Sequence, residues 1–173
     1  MNQAYMHLLT NHIPVLAIIF GIIILIWGII SRKKEIKMVA YFLFLAASLG
    51  GLVTFNTGEA AEDVAEKIEG ISKTLIHDHE EAGETAIYLI GAMGILAVFG
   101  FYAEVKNKKM ASPVSIIVLI FAIITFVLTA RASYLGGKIR HTEMSAPAVS
   151  QNLPGQFINS IPVNLSASSH KTS

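Results

Sequence analysis

His12, His77, His79 and His141 are the residues best equipped for chemistry in this chain, and Glu59, Glu62, Glu80, Glu84 and Glu143 are interspersed with them. Imidazole and carboxylate ligands together suit a borderline or hard transition metal such as iron, zinc, copper or manganese. Two imidazoles facing each other across an apolar slot suit a b-type haem instead. The sequence tilts slightly toward the first chemistry, because several carboxylates accompany the histidines. It lacks the Glu-x-x-His pair of soluble di-iron and di-manganese bundles; the nearest run, His77-Asp78-His79-Glu80, has those ligand types at another spacing. With no cysteine in the chain, disulfides, thiolate metal sites, iron–sulfur clusters and Cys-x-x-Cys-His haem attachment are excluded.

These groups stand beside four apolar segments that must position them. Of 173 residues, 53% are hydrophobic and only 14% charged, and the mean hydropathy is +0.59. Soluble domains seldom combine these values. A helix needs about 20 mostly apolar residues to cross a hydrocarbon core about 30 Å thick. Segments 13–30, 38–56, 86–103 and 113–135 qualify. Asn11 is expected to cap the first, with Pro14 tolerated in its first turn. Ser112 and Pro113 are expected to start the fourth, and Gly136-Gly137 to stop it. Gly70 is expected to end a charged extension of the second span.

The connections indicate orientation. Arg32, Lys33, Lys34 and Lys37 fill one short loop, and Lys106, Lys108 and Lys109 the next, each against a single glutamate. By the positive-inside rule both loops are cytoplasmic. Residues 57–84, by contrast, hold nine of the twelve acidic residues, with only Lys67 and Lys73 as counter-charges. The expected fold is therefore an all-α integral membrane four-helix bundle of the bacterial inner membrane. Both termini are extracytoplasmic, and so is the acidic helical connection. Residues 1–143 form this domain, and 144–173 an extended or disordered extracytoplasmic tail, rich in Ser, Pro and Asn.

Alternation then brings the histidines and most carboxylates to one face of the membrane. A single interfacial histidine is ordinarily a boundary residue, but His12, His79 and His141 come from three different spans. These three are the expected ligands, with Glu59, Glu62, Glu80 and Glu143 as further ligands or as groups orienting the imidazoles. His7 and His77 are weaker members, and His170 lies in the tail. Arg131 is costly inside a span. It needs a carboxylate such as Glu59 or Glu62, or a haem propionate, in which case Gly50, Gly51, Gly91 and Gly94 would make room for the porphyrin. Much of the remaining acidity reads as a solvated flank.

Asn11-His12-Ile13-Pro14 at the head of the first span resembles the opening of a bacterial four-helix membrane family, DUF2231 (domain of unknown function 2231). Thr57-Gly58-Glu59-Ala60-Ala61-Glu62, His79-Glu80 and Leu135-Gly136-Gly137-Lys138-Ile139-Arg140-His141-Thr142-Glu143 are similar to its later landmarks. The likeness covers residues 10–143. Some members of that family are joined to c-type cytochrome domains, so the resemblance implies redox work at the extracytoplasmic face. The expected partners are the lipid bilayer, and other subunits of a respiratory-type complex or a periplasmic electron carrier. A non-catalytic accessory subunit is the competing expectation. No nucleophile–base pair or phosphate loop is present, and topology accounts for the basic residues without a nucleic-acid surface.

Overall fold

The computed structural model describes residues 3–67 and 71–140. They form α1 (Gln3–Thr10), α2 (His12–Ile30), α3 (Lys34–Ala65), α4 (Lys73–Val105) and α5 (Ala111–Arg140). Four stretches are long and apolar enough to cross a membrane: Met6–Ile30, Lys34–Gly58, Lys73–Val105 and Ala111–Ile139. The long helices pack as a ring, α2 beside α3, α3 beside α4, α4 beside α5, and α5 back beside α2. Hence α3 and α5 stand diagonally. The short α1 lies mainly on α3.

Small residues let the ring close, as expected where van der Waals packing drives helix association. Gly21 of α2 receives the Phe44 ring, and Gly100 of α4 receives Tyr41; a Cβ on either glycine would fall within 3 Å of the ring. Ile18, Leu25, Phe44, Met93 and Val118 fill the middle and are fully buried. Phe42, Leu49 and Ile95 point outward and are more than 60% exposed, as lipid contact requires. At 1.5 Å per residue, the 32 residues of α3 and the 33 of α4 each reach about 50 Å. Both therefore extend beyond a core about 30 Å thick. The acidic connection is largely these extensions.

Three expectations at helix ends change. Asn11 does not cap the first span. Its backbone is helical (φ −62, ψ −22) and its side chain makes no capping bond, while its N–H donates to His7 O at 2.9 Å. The helical path therefore begins at Gln3 and is only interrupted near Asn11, where Pro14 supplies no N–H to the Thr10 carbonyl. Ser112 lies inside α5 rather than before it, because Ala111 starts the helix; Pro113 still falls in the first turn. Gly136-Gly137 does not stop α5, which continues to Arg140. Gly70, His141, Glu143 and the tail lie outside the described residues.

Candidate functional site

The site is built from two imidazoles held in the same way. His7 projects from α1 toward α3, where its Nδ1 lies 2.9 Å from the Thr54 carbonyl oxygen. His79, on the extension of α4, places its Nδ1 2.9 Å from the Ala132 carbonyl oxygen of α5. A carbonyl oxygen only accepts, so Nδ1 carries the proton in both rings. In the neutral rings, Nε2 keeps its lone pair. A backbone carbonyl on one ring nitrogen is the usual means of orienting a metal-binding histidine and fixing its tautomer.

Gly136 makes room for the His79 ring, whereas Gly58 meets the His7 ring at ordinary contact distance. A Cβ on Gly136 would lie 2.9 Å from His79 Cε1, and one on Gly58 would lie 3.6 Å from His7 Cε1. The ring centroids are 6.4 Å apart with planes at 79°. That separation is ordinary for an edge-to-face pair. It also has a metrical meaning. With metal–nitrogen bonds of about 2.0 Å, each centroid would sit about 3.2 Å from a shared ion. Rings on opposite sides of one ion would thus be about 6.4 Å apart, and tetrahedral ligation would need them roughly 1 Å closer.

The other expected residues divide. His12, five residues beyond His7, is exposed and belongs to a different helical face. It does not join the pair. Glu62 is partly exposed near the end of α3; burial raises its carboxyl above the usual range, reinforced by Glu80, Glu66 and Asp63 and opposed by His77. Glu80 pairs with His77 at 3.7 Å, both side chains well exposed. The side chain of Glu59 is not among those described, and His141 and Glu143 lie outside the described residues. Arg131 is exposed and lines a shallow cleft with Asp78, Glu81 and Thr85 of α4. Its carboxylate neighbours in that cleft, Asp78 and Glu81, are on α4. Among the described residues, no three His, Asp or Glu side chains converge as a metal-binding group.

The porphyrin slot is not found where it was expected. Ile13 packs on Gly50, Ile87 and Ile90 on Gly51, and Ser48 on Gly94. Only Gly91 of the four meets open space.

Two features were missed in the sequence. The first is the weight of His7, which stands outside segment 13–30. Leu8 and Leu9 already carry the apolar character inward and would have signalled the earlier start. The second is a polar network at the opposite end of the bundle. Lys37 of α3 and Glu104 of α4 form an ion pair with both side chains about nine-tenths buried. Ser115 of α5 lies 3.3 Å from Glu104 Oε1, and Tyr41 OH donates to Ser115 Oγ at 3.0 Å. In the sequence both charged residues read as topology signals. Lys37 stands one turn before Tyr41, a spacing that points both along one face.

A family model described as a predicted membrane protein (DUF2231) matches residues 5–143. The chain belongs to this family. The DUF2231 match takes in His7, His79 and His141 together. With four helices able to span a bilayer, it makes the chain a multi-pass membrane protein in contact with lipid. No curated protein and no solved structure matches it.

Proposed function

We propose that this DUF2231 protein holds a first-row transition metal ion at its imidazole end, with His7 and His79 as ligands through Nε2, and serves redox or metal-handling work there. One observation carries the reading: both rings commit Nδ1–H to a backbone carbonyl, which leaves two oriented Nε2 lone pairs with the rings 6.4 Å apart. No carboxylate joins the rings among the described residues, so zinc and copper fit better than manganese or iron. His141, one residue past α5, is the third donor in this proposal. Haem b fits poorly, because side chains occupy three of the four glycine notches between the helices.

The orientation belongs to the same proposal. The basic connections would be cytoplasmic by the positive-inside rule, so the imidazole end would be extracytoplasmic in a bacterial inner membrane. There the ion could exchange with a periplasmic carrier or a neighbouring subunit.

Metal content and visible spectrum of protein purified in mild detergent, followed by titration with zinc and with copper alone, test the proposal. About one ion per chain is expected, lost in His7→Ala and in His79→Ala but retained in His12→Ala. A folded, metal-free protein that takes up neither ion would overturn it and leave the accessory-subunit reading. A Soret band would establish haem.

A further inference from the structure

At the end opposite the imidazoles, the α2–α3 turn and the α4–α5 connection lie side by side, and Lys34 Nζ donates to Asn107 Oδ1 at 3.1 Å. Each leaves its helix through the same cap. Lys33 N–H donates to Gly28 O, and Arg32 N–H to Ile29 O. Lys108 N–H donates to Ala103 O, and Asn107 N–H to Glu104 O. Paired bonds of this kind satisfy the last helical carbonyls and require a left-handed residue. Arg32 (φ 55) and Asn107 (φ 47) are those residues. The backbone of both connections is thus held.

These held connections present Arg32, Lys33, Lys34, Lys106, Lys108 and Lys109, all exposed, against the single exposed carboxylate of Glu35. Glu104 offers no compensation, being buried against Lys37. Trp27, Ile30, Tyr102 and Met110 flank the cations and are each about half exposed or more. Aromatic and apolar side chains beside cations mark the water–hydrocarbon boundary. The charges therefore stand at headgroup depth, where each basic residue near an anionic leaflet favours it about five-fold before screening.

We infer that this rigid basic platform docks the headgroups of anionic phospholipids in the adjoining leaflet. Positive charge at fixed positions beside apolar anchors complements a lipid, which supplies a phosphate and acyl chains together. The inference is independent of any metal at the other end.

The test is lipid retention by the purified full chain in mixed micelles of equal phosphatidylglycerol and phosphatidylcholine, read by native mass spectrometry. Micelles remove the influence of these charges on membrane insertion. Retained lipid is expected to be several-fold enriched in phosphatidylglycerol. The enrichment should collapse toward the bulk ratio in the K106Q/K108Q/K109Q variant, and persist in K67Q/K138Q, which removes cations from the other end. Retention at the bulk ratio in the wild-type chain, or undiminished enrichment in the triple variant, overturns the inference. Displacement by millimolar inorganic pyrophosphate would also overturn it, revealing a site for free phosphate.

Discussion

Gly136 and Gly137 are adjacent on α5, and replacing each by alanine should have opposite effects. In a helix, alanine is favoured over glycine by up to about 1 kcal/mol. At Gly137 nothing lies within 4 Å of the added Cβ, so Gly137→Ala should collect most of that gain. At Gly136 the Cβ would sit 2.9 Å from His79 Cε1 and 3.3 Å from both ring nitrogens. Ordinary contact requires the ring to retreat by about half an ångström. The Nδ1–H bond to Ala132, at 2.9 Å, would be strained or lost, at a cost of about 1 kcal/mol. Overpacking adds about 1–3 kcal/mol. After the helix gain, Gly136→Ala should be destabilised by about 1–3 kcal/mol, and the two variants should differ by about 2–4 kcal/mol. Reversible unfolding in detergent, followed by circular dichroism, measures this. Metal titration of the same variants should show weakened binding for Gly136→Ala alone. Equal stability of the two would refute the packing of His79 against α5.

Breaking the Lys37–Glu104 pair from one side should be costly, because both side chains are about nine-tenths buried. Lys37→Met alone should lose about 3–5 kcal/mol, whereas Lys37→Met with Glu104→Leu should fall close to wild type; the same unfolding assay separates the two. Glu62 sets a pH dependence. Its folded carboxyl is raised above 4.5 by burial and by Glu80, Glu66 and Asp63. In the window above that value the folded state therefore binds more protons than the unfolded state, and stability falls as pH rises. Glu62→Gln should match wild type in acid and exceed it near neutrality; a constant difference across pH would contradict this. His77→Ala should change stability by less than about 1 kcal/mol, since its pair with Glu80 is exposed on both sides.

The spans were readable because a bilayer demands long uncharged runs, and Ile13–Ile30 or Met38–Asn56 admit few other interpretations. What misled were residues with two local meanings. Pro14 permits a helix start and equally a break within a longer helix, and only packing of α1 on α3 decides for the break. Gly136-Gly137 suits a helix stop and equally a cradle for a ring; His79, 57 positions earlier in the chain, decides for the cradle. Lys37 and Glu104 both lie near connections, so their charges read as topology. Their burial depends on elements distant in the chain, since Lys37 packs on Gly28 of α2 and Glu104 meets Ser115 of α5, which no local pattern encodes. Of the expected ligand set, His79 lies in the imidazole pair, His12 does not, and His7 takes its place there.

The plug of Ile18, Leu25, Phe44, Met93 and Val118, all fully buried, has a bearing on traffic. Along α5, Ser115 and Ala132 are 17 residues apart, or about 26 Å of helix, and this dry packing lies between the two polar ends. Among the described residues the ring encloses no aqueous column. An ion held by His7 and His79, as proposed, would therefore enter and leave from the imidazole end, because the packed apolar side chains of the ring lie between it and the basic end.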